Sequence, residues 1–317
     1  MSIQKVSYVK AFLINNFMPG FLVRLFAKPY VAGDSLEKSI ETARQLWTEK
    51  GITSTIDMLG EEIQTKEEVE EIVQIYLDVV EAIKNEDFAT ISIKPTSFGI
   101  DIDKEYCIEN LRRILTAASE TNLGITLDME SSDYTDATLE IYHKLQPEFP
   151  NFGTVLQTML FRTENDILEL KGLDAHIRLC IGIYIEDKGI AYTKKSEMKA
   201  KLVEYTGLLL DHNHFVAVAT HDEKTIYSCL DLIENHGKGP HEAEFQMLLG
   251  VPRDRIQQEL INKGYTLRLY VPFATEWKYA TNYLKRRLIE NPRLAIYTIR
   301  NLFGRIFQPF RRKKKKK

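Results

Sequence analysis

Eight short β-rich runs recur along the chain at 52–59, 89–94, 125–130, 153–160, 176–184, 215–221, 243–249 and 266–271. Their starts lie roughly 31 residues apart on average, and helical patterns fill most of the gaps. Those patterns cover 67–84, 104–121, 135–145, 195–210, 223–234, 254–263 and 276–290, with a shorter connection at 163–171. Strands separated by a helix's length of chain pair in parallel, because a tight hairpin cannot return the chain to the same end. Eight such units with no extra edge strand predict an α/β fold, a (βα)8 barrel of the TIM type.

The flanks differ from this core. Residues 1–50 read as an N-terminal helical arm, with Ser35 capping a helix that runs to about Lys50. The barrel domain is expected over 51–291, followed by a C-terminal amphipathic helix and polybasic tail at 292–317. Charge is divided the same way. Segment 285–317 carries thirteen Lys/Arg and one Glu in a chain of net charge −3, so the body is acidic. A basic tail on an acidic fold argues against a nucleic-acid binder and fits contact with an anionic membrane. Apolar stretches are too short to span a bilayer, and no secretory signal stands out. Cys107, Cys180 and Cys229 are far apart and read as reduced thiols, which suits a cytoplasmic protein placed peripherally at the membrane face.

A TIM-type barrel carries its chemistry at the carboxyl ends of its strands. Lys94, Asp128, Gln157, Arg178 and His221 fall there, on five different strands, with Met129, Thr220, Gln246 and Tyr270 nearby. Buried charges need partners or a ligand. No P-loop, nucleophile elbow, zinc-protease motif or Rossmann glycine pattern occurs, and no metal site is expected. The histidines of Asp211-His212-Asn213-His214 read as a helix-to-strand turn. In the last predicted helix Tyr283, Arg286, Arg287 and Glu290 share one stripe. Such a stripe is either a solvated ion-pair face or a clamp, with two guanidinium groups for a carboxylate and a carboxylate for an ammonium.

Tyr-Leu-x-Arg-Arg-x-x-Glu-Asn at 283–291 resembles the signature of the proline dehydrogenase family. Further segments are similar in order along the barrel: Ser92-Ile93-Lys94-Pro95-Thr96, Leu127-Asp128-Met129-Glu130, Gln157, Arg178-Leu179 with Gly182 and Tyr184, Ala219-Thr220-His221, Phe245-Gln246-x-Leu248-x-Gly250 and Tyr270-x-Pro272. The resemblance implies FAD-dependent oxidation of L-proline to Δ1-pyrroline-5-carboxylate. Hydride would pass to the flavin N5, and a membrane quinone would reoxidise the flavin. It implies catalytic roles for Asp128 and Arg178. Lys94, Leu248, Tyr270, Tyr283, Arg286, Arg287 and Glu290 would bind substrate. Met129, Gln157, Arg178, residues 181–184 (Ile181, Gly182, Ile183, Tyr184), Thr220 and His221 would seat FAD. A separate pyrroline-5-carboxylate dehydrogenase would receive the product. One departure stands out: the family's Arg-Leu-Val-Lys-Gly-Ala-Tyr reads here Arg178-Leu179-Cys180-Ile181-Gly182-Ile183-Tyr184, which removes a cation and adds volume. The alternatives are a hydroxyproline dehydrogenase, a Schiff-base lyase or aldolase using Lys94, and a non-catalytic amino-acid binder.

Overall fold

The computed structural model describes residues 30–60, 63–121 and 123–275. Eight parallel strands close into a barrel in chain order, with β8 returning to pair with β1. The order is α1 (Leu36–Lys50), β1 (Thr53–Met58), α2 (Lys66–Ile83), β2 (Ala89–Ile93), α3 (Lys104–Ser119), β3 (Ile125–Leu127), α4 (Ser132–Leu145), β4 (Phe152–Gln157), α5 (Thr163–Glu169), β5 (His176–Cys180), α6 (Lys195–Asp211), β6 (Phe215–Ala219), α7 (Glu223–Asn235), β7 (Ala243–Leu248), α8 (Asp254–Asn262) and β8 (Leu267–Phe273). The expected eight-unit barrel is present. The last predicted helix and the basic tail lie outside the described residues.

Local chemistry explains where the helices begin. Ser35 accepts from Lys38 N at the start of α1, and Gly51, at φ +66°, ends it by donating back to Leu46 and Trp47 carbonyls. Thr65 and Glu68 form a reciprocal capping box before α2, while Asp103 and Asp222 cap α3 and α7. Asn213, at φ +60°, turns the chain from α6 into β6, so the His212–His214 segment is the expected helix-to-strand turn.

α1 is built into the barrel wall. Ala43 is fully buried on its inner side, Ser39 Oγ reaches the Val271 carbonyl at 3.4 Å, and Ala32 N donates to Pro272 O at 2.8 Å. The helix therefore closes the seam between β8 and β1.

Several strand boundaries differ from the sequence expectation. Pro272 lies inside β8 rather than in a link after it. Tyr270 O faces β7, where it accepts from Leu249, so two residues later Pro272 N faces the same side. The last β7 pair is already past there, and the absent N–H leaves no ladder bond unmade. At the other strands the ladder stops earlier than expected, after Ile93, Leu127, Cys180 and Ala219. Lys94, Asp128, Ile181 and Thr220 thus follow directly on the strands, and bonds such as Asp128 N to Ile93 O and Thr220 N to Gln246 O still tie them to the neighbouring strand. Their side chains are set by loops anchored to rigid strands.

The sheet's outer face packs Ile56, Ile91, Leu127, Leu179, Val218, Phe245 and Leu269 into the apolar core with the helices. Inside the barrel the chemistry is polar. Hydrogen bonds between strands that are not neighbours must cross the interior, and there Arg178 of β5 reaches Ser92 of β2, and Arg268 of β8 reaches Thr90 of β2.

Candidate active site

The mouth at the strand carboxyl ends is organised around Asp128. Its Oδ1 accepts from Arg178 Nη1 at 2.5 Å and from Ser92 Oγ at 2.8 Å, and its Oδ2 accepts from Tyr270 OH at 2.7 Å. Lys94 Nζ lies 3.7 Å from the same Oδ2 and 3.5 Å from Tyr270 OH, and it is hydrogen-bonded to Asp57 Oδ1 on β1. The Arg178 guanidinium carbon sits 5.4 Å from the centroid of the Tyr270 ring. Four of the expected residues, Lys94, Asp128, Arg178 and Tyr270, are therefore one connected cluster.

Its electrostatics follow from burial opposed by pairing. Burial works against the Lys94 charge, but the carboxylates of Asp57 and Asp128 outweigh it and hold the ammonium well above the ordinary lysine pKa. Burial would lift Asp128, yet Arg178 and Lys94 bring its carboxyl below the usual range. Burial lifts Asp57 above the ordinary carboxylate value despite its lysine partner. For Tyr270, burial and the Asp128 and Asp57 charges push ionisation far up, so the phenol is a neutral donor. At neutral pH the mouth thus holds a protonated lysine, a guanidinium, a carboxylate and a phenol.

A second group surrounds Gln157. Its Nε2 donates to the carbonyls of Met129 at 3.0 Å and Glu130 at 2.9 Å, which ties the loop after β3 to β4. The Glu130 carboxylate in turn accepts from Thr96 N and Oγ1, at 3.1 and 2.9 Å. Ile181 O accepts from Met159 N, and Gly182 follows at φ +90°. A Cβ at Gly182 would come within 2.1 Å of Met159 Sδ and 2.9 Å of Gln157 Oε1, so only glycine fits. Ile183 and Tyr184 are half-buried in the same loop.

The third group joins β6 and β7. Leu248 N donates to His221 Nε2 at 2.9 Å, which leaves the ring proton on Nδ1. Arg253 Nε holds the His221 carbonyl, and Thr220 N donates to Gln246 O. Among the described residues, Gln157 bonds to the loop after β3 and His221 to Leu248, so both flank the Asp128 cluster. Tyr283, Arg286, Arg287 and Glu290 lie outside the described residues.

Sequence reading missed Asp57 and Ser92 as parts of the cluster. Asp57, with its side chain 1% exposed, follows Thr53 and Thr55 at every second position of β1, the mark of a polar inward face. Ser92 stands two residues before Lys94 and bonds both Asp128 and Arg178. Among the described residues, the buried side-chain atoms without a hydrogen-bond partner include three at this site, Arg178 Nη2, Gln157 Oε1 and Asp57 Oδ2. A donor and an acceptor of this kind, beside a glycine that admits close approach, fit a bound cofactor with polar edges.

The proline dehydrogenase family model matches residues 39–295. Proline dehydrogenase 1 of Bacillus subtilis is 32% identical over 290 residues, covering 91% of this chain and 94% of its own. Proline dehydrogenase of Deinococcus radiodurans is 34% identical over 285 residues, covering 87% and 89%. Among solved structures, proline utilization A from Bdellovibrio bacteriovorus, inactivated by N-propargylglycine, superposes with TM-score 0.76 at 25% identity. That match covers 84% of this chain and 32% of the longer one. With a polar strand-end cluster on a closed eight-stranded barrel, and with relatives aligned over nearly the whole length, the chain belongs to the proline dehydrogenase family.

Proposed function

We propose that the chain oxidises L-proline to Δ1-pyrroline-5-carboxylate at the carboxyl-end mouth of the barrel, with FAD held there non-covalently. The observation that carries this reading is the Asp128 cluster, in which Arg178, Lys94 and Tyr270 converge within hydrogen-bonding or ion-pairing reach of one carboxylate. When bound, FAD supplies the hydride acceptor.

The protein's own groups bind, orient and charge the site. Arg178, kept in place by Asp128 and Ser92, has an unpaired Nη2, and this cation would hold the cofactor and stabilise negative charge on it. Gln157 Oε1 would accept from a cofactor donor, and Met129, the 181–184 backbone, Thr220 and His221 would line its seat. The loss of a cation at Ile181 is tolerated if contacts there come from the backbone. Lys94, protonated and neutralised by Asp57, frames the substrate ring. Leu248 and Tyr270 wall the pocket. Arg286 and Arg287 clamp the substrate carboxylate, and Glu290 with Tyr283 meets the ammonium side.

A membrane quinone would reoxidise the flavin, the basic 292–317 segment would favour anionic lipid, and a separate dehydrogenase would take the product. Hydroxyproline fits less well, since the Tyr270 wall crowds a ring hydroxyl. The lyase reading needs an unprotonated Lys94 amine, and the fields around that residue favour the ammonium.

Purified protein reconstituted with FAD should be yellow and should bleach on addition of L-proline. A protein that takes up no flavin, and whose Lys94 is trapped by borohydride in the presence of a carbonyl substrate, would refute the reading in favour of a lyase.

A further inference from the structure

Below the Asp128 cluster a further ion pair lies in the barrel interior, between neighbouring strands. Glu244 on β7 meets Arg268 on β8 through two bonds, Oε1–Nε at 2.9 Å and Oε2–Nη2 at 3.1 Å. Arg268 Nη1 also donates to the Ser54 carbonyl at 3.2 Å and to Thr90 Oγ1 at 3.3 Å, which fixes it against β1 and β2. Burial opposes the charge on Glu244, but Arg268 brings its carboxyl below the ordinary value. As a carboxylate it can only accept.

What it accepts is a hydrogen bond from Gln246 Nε2, at 2.5 Å. Gln246 is two residues along the same strand, so both side chains enter the interior from one face. An amide whose nitrogen is committed to a carboxylate must present its oxygen the other way. That oxygen accepts from Arg178 Nε at 2.6 Å. The flipped amide would set two donors against each other at Arg178 and two acceptors at Glu244.

We propose that Glu244, paired with Arg268, is a positioning residue that fixes the Gln246 amide orientation and, through it, the guanidinium of Arg178. Arg178 Nε is thereby consumed below, Nη1 is consumed at Ser92 and Asp128, and Nη2 alone faces a ligand. Side-chain rotation of Arg178 would break bonds on two sides at once. The strand-end guanidinium is therefore preorganised from the interior, by a carboxylate two hydrogen bonds away from it.

The inference rests on the proposed placement of FAD beside Arg178, and the test separates the two. Glu244→Gln combined with Arg268→Met removes the charge pair with little volume change and frees the Gln246 amide to turn. The FAD-loaded variant should show a flavin midpoint potential shifted negative and a kcat lower by on the order of tenfold or more. Its KM for L-proline should hold near the wild-type value. A variant with wild-type potential and kcat, whatever its Tm, overturns the proposal. If the double variant does not fold, Gln246→Met is read in the same way, since it leaves the Glu244–Arg268 pair intact and removes only the relay. Wild-type potential and kcat there overturn it equally. Wild-type protein that binds no FAD overturns the functional reading, and this inference with it; flavin-loaded wild type beside unchanged variants overturns this inference alone.

Discussion

Asp128 and Tyr270 stand 142 residues apart in the chain and share a 2.7 Å hydrogen bond, with the phenol donating to Oδ2. Closure of the barrel makes them neighbours: β3 and β8 both end at the mouth. The bond fixes the ring that also lies beside the Arg178 guanidinium. Tyr270→Phe removes the donor and keeps the ring. A neutral-to-charged hydrogen bond of this kind contributes about 1.5–3 kcal/mol. The expected outcome is a fold intact by circular dichroism, a lower Tm and a several-fold loss of kcat/KM. Wild-type kcat/KM would show that the hydroxyl plays no part.

Asp128→Asn should leave Arg178 and Lys94 short of an anion inside the mouth. Breaking a buried pair costs about 3–5 kcal/mol. The pH dependence has a definite sign. The folded-state pKa of Asp128 is depressed, so its contribution is present above the ordinary carboxylate pKa and is lost as pH falls through the folded value. Asp57, raised by burial, contributes in the opposite sense and remains in both proteins. Denaturant titrations across acidic pH should therefore find the stability gap between wild type and Asp128→Asn narrowing on acidification. A gap that widens contradicts the assignment.

Lys94→Met strands the Asp57 carboxyl, whose side chain is 1% exposed, without a countercharge. The expected loss is again about 3–5 kcal/mol, by the same reasoning. Adding Asp57→Asn should recover part of it, giving a coupling energy of more than about 0.5 kcal/mol in the double-mutant cycle. Strict additivity of the two single variants would mean that the pair is not coupled.

Gly182→Ala places a methyl group 2.1 Å from Met159 Sδ at a φ of +90°. Strain of this kind costs on the order of 1–3 kcal/mol. The loop after β5 should shift, and flavin content on purification should fall more than Tm does. Full flavin occupancy would remove the 181–184 backbone from the cofactor seat.

Arg286→Met and Arg287→Met should each raise KM for L-proline with smaller changes in kcat. A charge-assisted clamp contributes on the order of 2–3 kcal/mol, or roughly 30- to 150-fold in KM. Steady-state kinetics with a soluble dye acceptor measures this directly. Unchanged KM in both variants would leave the stripe as a solvated ion-pair face.

Much of the barrel could be read from local rules. Strand–helix alternation, the Ser35 cap and the Asn213 turn depend on neighbours in sequence, and these appear where expected. Strand ends were read too long because a ladder stops where its partner strand stops. Asp57 escaped notice inside an ordinary-looking strand, and so did the Glu244–Arg268 pair. Their signal was present: Glu244 and Gln246 alternate with Phe245 and Met247, and Arg268 and Tyr270 with Leu267 and Leu269. Alternation identifies a polar face but does not say what it meets.

The sequence alone determined the number of units, their parallel pairing and the strand-end places of Lys94, Asp128 and Arg178, since periodicity and strand polarity act over short range. Tertiary structure decided the partnerships. Lys94 pairs most closely with Asp57 on β1, Arg178 is gripped from β2, β7 and the loop after β3, and one amide is oriented by an ion pair beneath it. Those choices depend on barrel register and stagger, which bring residues from distant strands to the same height, and no local pattern encodes that height.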